Sequence, residues 1–315
     1  MPAIVETRAL TKRYGPVAAL DDFTIEVQPG VIGLVGANGA GKSTLVKLLL
    51  GLIDPTSGGA SVLGYDVRRE GSRLRQYVGY MPEHDCLPLD MSAVEFVAHM
   101  AQMSGLPRAA SRERTAETLR HTGLFEERYR AMAGYSTGMR QRAKLAQALV
   151  HDPSVVFLDE PTNGLDPGGR DEMLDLVRRT GHGLGISIIM ATHLLGEIER
   201  VCDQLIVIDA GRLQHYGPLA GFTGVTQFLS VEVTAEADAV ASALRRHGLE
   251  CAVDGRHLSV RAEDGLAPYD LIRDTVVDLE VGLVRMSQRR HTLEDLFQPS
   301  HAEGAGDPPE AAPHG

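Results

Sequence analysis

The chain has 315 residues, 43% hydrophobic and 23% charged, a globular balance with room for one large and one small domain, each with its own core. Its formal charge of −11 is placed unevenly, with 16 acidic against 8 basic side chains in residues 221–315. That surface argues against nucleic acid, whose affinity comes largely from neutralised phosphates.

Three scattered cysteines, Cys86, Cys202 and Cys251, suit a reducing compartment and argue against a disulfide framework. The opening MPAIVETRAL has neither a basic leader nor an apolar segment, and the longest apolar stretches, such as LGISIIMA, are far too short to cross a bilayer. The expectation is a soluble, cytoplasmic chain.

In chain order, apolar strand-like runs stand at 23–27, 31–36, 77–81, 154–159, 187–192 and 204–209. Several are continuous runs of about five apolar residues, the pattern of buried and largely parallel strands. Helix candidates lie between them at 42–51, 92–104, 111–122, 138–150, 168–180 and 194–202. The three from 92 to 150 have no strand among them, which predicts a helical insertion, at about 84–150, in an α/β core. The stretch GPLAGFTG, 217–224, reads as a linker.

Beyond it the order changes to a strand (227–234), a helix (236–248), a hairpin (249–254 and 257–262) turning at Asp254-Gly255, a helix (268–279) and a strand (281–288). This β-α-β-β-α-β order predicts a small α+β domain of ferredoxin-like type. A short last helix is expected at 292–297. The expected boundaries are 1–220, 221–298 and a disordered tail at 299–315, rich in Pro, Gly, Ala and acid.

The first chemical motif is GANGAGKST: Gly36, Ala37, Asn38, Gly39, Ala40, Gly41, Lys42, Ser43 and Thr44. It fits G-x-x-x-x-G-K-[ST] between an apolar strand and a helix, the setting in which backbone N–H groups close around phosphate oxygens. Lys42, one of four lysines, would reach the β/γ-phosphates of ATP, and Ser43 would ligate Mg²⁺. A second motif, SVVFLDEPTNGLD, puts Asp159 at the C-terminal tip of a buried strand as a second Mg²⁺ ligand. Glu160 follows on the opposite side by strict alternation, and could polarise the water attacking the γ-phosphate. His193, in ATHLL after another apolar strand, is a candidate γ-phosphate contact. GYSTGMRQR, 134–142, is a second glycine-rich helix start of the anion-binding kind.

The phosphate loop, YSTGM, LDEPTNGLD and ATH, in this order and spacing, resemble the ATP-binding subunit of ABC transporters over residues 3 to about 220. The resemblance implies a P-loop NTPase core of the ABC ATPase type, an ATP hydrolase coupled to transmembrane transport. It also implies head-to-tail pairing of two such subunits, in which Ser136 and Gly138 of one cap the γ-phosphate held at Lys42 of the other. Tyr14 matches the aromatic that stacks on adenine, Asp166 the loop that communicates across the dimer, and Glu83 the position that contacts Mg²⁺ and the transmembrane partner. Here Glu83 stands where most members carry Gln, and Thr137 and Met139 replace Gly and Gln.

The C-terminal domain resembles that of exporters of the drug-resistance and sodium-extrusion branch. The partners so implied are a separate transmembrane permease and a second copy or a related ATPase subunit, with the chain held peripherally on the inner face of the cell membrane. ATPases of this family that act on ribosomes join two cassettes in one chain, and DNA-repair members insert coiled coils or zinc sites. This chain has one cassette and neither insertion. A P-loop kinase would need neither YSTGM nor LDEPTNGLD.

Overall fold

The computed structural model describes residues 2–222, 225–261 and 267–290. They fall into two compact units, Met1–Phe222 and Thr223–Gly315. The expected helix at 292–297, the tail from 299, and residues 223 and 224 of the expected linker lie outside the described residues.

The first unit begins with β1 (Val5–Tyr14) and β2 (Val17–Val27), then β3 (Val31–Val35), α1 (Lys42–Leu49), β4 (Ser57–Val62) and β5 (Tyr65–Asp66). A short α2 (Gly71–Leu74) precedes β6 (Val78–Met81), and the helices α3 (Ala93–Met103), α4 (Arg108–His121) and α5 (Thr137–Leu149) follow without an intervening strand. The chain returns through β7 (Val155–Asp159), α6 (Pro167–Arg178), β8 (Ser187–Thr192), α7 (Leu195–Val201), β9 (Gln204–Asp209) and β10 (Arg212–Pro218).

Six strands form the central sheet in the order β10-β9-β3-β8-β7-β6. All its neighbours pair in parallel except β10 with β9. Every residue of β3, β7 and β8 is buried, as expected of parallel strands covered on both faces. The run FTIEV does not belong here. It ends β2, in a separate antiparallel sheet of order β2-β1-β4-β5. Leu10, Leu20 and Phe23 from that sheet bury against Leu34, Leu48 and Phe157, and this core carries α1.

The helical insertion has its own core, with Phe96, Val97, Leu119, Leu124 and Tyr135 at its centre. α3 starts at a reciprocal cap: Ser92 Oγ accepts from the Glu95 amide, and Glu95 accepts from the Ser92 amide. The expected linker at 217–224 is corrected in its first half. Gly217 and Pro218 finish β10, and Leu219–Gly221 form a 3₁₀ turn.

The second unit holds β11 (Val225–Val233), α8 (Ala237–Arg246), β12 (Cys251–Asp254), β13 (His257–Arg261), α9 (Ala267–Asp278) and β14 (Leu283–Arg290). Its antiparallel sheet runs β12-β13-β11-β14, the strand order of a ferredoxin-like α+β fold. The hairpin closes between the expected strands: Asp254 pairs with His257, which leaves Gly255 and Arg256 as the loop. Gly255 takes φ 61°, the left-handed conformation that a two-residue turn needs. Leu229, Val231, Val240, Leu244, Leu258 and Ile272 form its core.

Candidate functional site

β3 ends at Val35, and the glycine-rich loop turns the chain into α1 over six residues. Two of its glycines are sterically required. A Cβ on Gly36 would lie 2.2 Å from the Ile208 carbonyl oxygen, and Gly41, the N-cap of α1 at φ 108°, would put one 2.5 Å from that of Ala19. Asn38, Gly39, Gly41, Lys42, Ser43 and Thr44 then line a cleft of about 410 Å³, together with Ala19, Glu83, Asp159, Glu160, Asn163 and His193. An anion placed in this cleft would meet the backbone amides opening α1, with the positive end of the helix dipole behind them.

Lys42 is only 8% exposed, and its Nζ donates to the carbonyls of Gly36 at 2.7 Å and Ala37 at 3.3 Å. Burial pulls its pKa down, and Glu160, Asp159 and Glu83 act against that fall. Asp159 shows the converse. Burial first, then Glu83, raise its pKa, opposed by a hydrogen bond from Ser43 and by the charge of Lys42. Three carboxylates, Glu160, Asp159 and Glu83, thus gather about Lys42.

Strand alternation fails at Glu160. Its backbone takes φ 48° while its amide donates to the Ala191 carbonyl at 2.9 Å. This left-handed turn, unfavourable for a side chain with a Cβ, brings Glu160 to the same cleft as Asp159 rather than the opposite face. There the carboxylate meets His193, whose Nδ1 stands 3.0 Å from each oxygen.

The donors Ser43 Oγ, Asp159 and Glu83 are hard oxygens, the kind Mg²⁺ takes when phosphates supply most of its other ligands. Among the described residues no group of three or more His, Cys, Asp and Glu side chains gathers as a metal cluster.

Ser136, Gly138 and Asp166 lie elsewhere. With Thr137, Met139, Arg142, Gly164 and Leu165 they line a separate cavity of about 600 Å³ that shares no lining residue with the first. Ser136 caps α5, its Oγ accepting from the Met139 amide at 3.3 Å, and Asp166 is the N-cap of α6 ahead of Pro167. Tyr14 closes β1, 52% exposed and outside the lining of either cavity, with Lys12 Nζ 5.1 Å from its ring centroid.

Two residues of the region escape the motif reading. Asn163 lines the first cleft and donates from Nδ2 to Glu83 at 3.4 Å. Lys144, fully buried on α5, donates to the Glu83 carbonyl at 2.8 Å. Gln147 Nε2 follows on the same helix with a bond to the Tyr80 carbonyl, and His151 Nε2 bonds that of Val78. Gln147 and His151 occupy carbonyls of β6, the edge strand of the sheet, and Lys144 holds the chain just beyond it at Glu83, so together they tether α5 to this strand and its exit. The one sequence signal was a lysine amid the small apolar residues of AKLAQALV.

The family profile described as ABC transporter matches residues 20–163. The Nod factor export ATP-binding protein I of Cupriavidus metallidurans is 38% identical over 213 residues, covering 67% of this chain and 70% of its own. The daunorubicin resistance ATP-binding protein DrrA3 of Streptomyces coeruleorubidus is 32% identical over 291 residues, 91% of this chain and 92% of its own. Among solved structures, cbiO1 of Clostridium perfringens, part of the ABC transporter complex cbiONQ, superposes with a TM-score of 0.64 at 30% identity, covering 70% of this chain and 90% of that one.

Proposed function

The chain belongs to the family of ABC transporter ATP-binding proteins, and from that premise we propose that it powers export through a separate membrane permease by ATP-driven pairing of two subunits. It is a P-loop ATP hydrolase. The reading beyond that rests on one observation: the phosphate loop and the Ser136 helix start, two glycine-rich helix starts, line separate cavities of one chain. Pairing two chains about a twofold axis would set each Ser136 against the other chain's Lys42.

In this reading Lys42 and the α1 amides hold the β- and γ-phosphates, and Tyr14 stacks on adenine. Glu160 orients the attacking water and accepts its proton as the γ-phosphoryl group leaves ADP. His193, held by Glu160, contacts the γ-phosphate with its other ring nitrogen. Ser43, Asp159 and Glu83 would hold Mg²⁺, which supplies charge neutralisation at the β/γ-oxygens. Ser136 and Gly138 close the partner's site, and Asp166 carries the closure between the two. The second subunit is another copy or a related ATPase chain.

The names of the relatives, one for export and one for drug resistance, together with the ferredoxin-like C-terminal unit, favour the drug-resistance and sodium-extrusion branch. No helix among the described residues is long and apolar enough to cross a membrane, so in this proposal the permease holds the chain at the inner membrane face. Co-expression with any multi-helix membrane protein that the neighbouring reading frames encode tests this. Co-purification with a raised ATPase rate supports the proposal, and a chain that leaves the membrane protein in detergent with an unchanged rate overturns it.

A further inference from the structure

Glu197 sits in the first turn of α7 and is 3% exposed, yet it touches no surface of the phosphate cleft. A buried carboxylate is costly unless it is paired and hydrogen-bonded, so its partners explain its presence. Thr162 Oγ1 donates to Glu197 Oε1 at 2.7 Å, and Thr192 Oγ1 donates to Oε2 at 3.1 Å while itself accepting from the Leu194 amide. Arg170 Nε lies 3.6 Å from Oε1. That nitrogen is buried and has no hydrogen-bond partner among the described residues.

Each partner sits beside a different element of the site. Thr162 is two residues after Glu160, Thr192 immediately precedes His193, and Arg170 is one turn into the helix that Asp166 caps. Thr162 and Thr192 are themselves buried. The loops of Glu160 and His193 are also joined at the front by the Glu160–His193 contact. One carboxylate closes them from behind.

We propose that Glu197 is a positioning residue for hydrolysis, fixing the loops of Glu160 and His193 in the register that lets the two side chains meet at the γ-phosphate. Its link to Arg170 extends the same register to the Asp166 helix. This rests on Glu160 and His193 being the hydrolytic pair. Glu197 lines no part of the phosphate cleft, so its loss acts on turnover and leaves nucleotide affinity in place. Displacement of a catalytic group by about an ångström costs up to roughly 10²-fold in rate.

The test measures ATP affinity with a fluorescent ATP analogue, steady-state kcat and the melting curve of the full chain for Glu197→Ala, Glu197→Gln, Thr162→Val and Thr192→Val. Glu197→Ala should lose about tenfold in kcat while analogue affinity stays within about twofold. Glu197→Gln, which keeps one acceptor oxygen, should recover part of that loss. Each Thr→Val variant should lose a smaller factor, and combining either with Glu197→Gln should cost less than the product of the two, because they act through one contact.

An unchanged kcat in Glu197→Ala overturns the proposal, as does a kcat that falls only in step with the folded fraction. Should Glu197→Ala fail to fold, unchanged kcat in both Thr→Val variants overturns it equally. Glu160→Gln is measured alongside. If that variant hydrolyses ATP at full rate, the assignment of the hydrolytic pair has failed; if it is inactive while Glu197→Ala is normal, only the role of Glu197 has failed.

Discussion

The His193 ring meets Glu160 through Nδ1, 3.0 Å from each carboxylate oxygen. An ionised carboxylate only accepts, so in this contact Nδ1 carries the proton, and the γ-phosphate contact proposed for His193 falls to Nε2. The contact exists because Glu160 adopts a positive φ and turns out of the strand line that would have sent it to the other face. His193→Ala is therefore expected to lower kcat by about 10²-fold or more while ATP still binds. Hydrolysis at the original rate in a folded His193→Ala chain would remove His193 from the site.

The tether of α5 to β6 predicts a stability effect. Lys144 is fully buried, and burial lowers its pKa against the opposing pull of Cys86, Asp85, Glu83 and Asp159. Lys144→Ala leaves both a cavity and an unpaired Glu83 carbonyl, an expected loss of about 2–4 kcal/mol. Lys144→Met fills the volume without burying a charge and should recover most of it. Urea melts of the two variants give the comparison, and equal midpoints would mean that volume is not what Lys144 supplies.

At the far end of the same tether, His151 predicts how stability varies with pH. Burial lowers its pKa, outweighing the Val78 carbonyl and Asp152. The unfolded chain binds this proton near the ordinary value of about 6.5, and the folded chain only at lower pH. The stability tied to neutral His151 is thus fully present above about pH 6.5 and falls as pH drops from there towards the folded pKa. His151→Gln keeps a donor for Val78 and cannot titrate, so its melting temperature should fall less between pH 7.5 and 5.5 than that of the parent chain. Parallel curves would contradict this.

How legible each part was follows from where its determinants lie. β3, β7 and β8 are readable because burial on both faces writes a contiguous apolar run, and the phosphate loop because strand, glycine turn and helix are consecutive. β1 and β4 are not: β1 alternates irregularly between buried and exposed residues through several register shifts, and β4 opens with Ser57-Gly58-Gly59. FTIEV has the apolar content of a parallel strand, but its partner is β1, and partner choice is not a local property. Glu160 turns against strand alternation because of a backbone angle no residue pattern announces. Glu197 and Lys144 take their meaning from partners as far as 35 and 61 positions away, so in sequence each is one charged residue on one helix.

The account stands most directly on the sharing of one ATP between Lys42 of one chain and Ser136 of another. Glu160→Gln keeps the size of the side chain and a hydrogen-bonding oxygen but removes the charge that polarises water, and hydrolysis should fall about 10²- to 10⁴-fold. Relief of carboxylate repulsion with the triphosphate leaves ATP bound at least as well. Gel filtration of Glu160→Gln with and without ATP is then the decisive measurement. The account predicts a monomer without ATP, a dimer at saturating ATP, and a return to monomer when Ser136→Arg is added. A Glu160→Gln chain that binds ATP, no longer hydrolyses it and still elutes as a monomer at saturating ATP would contradict it.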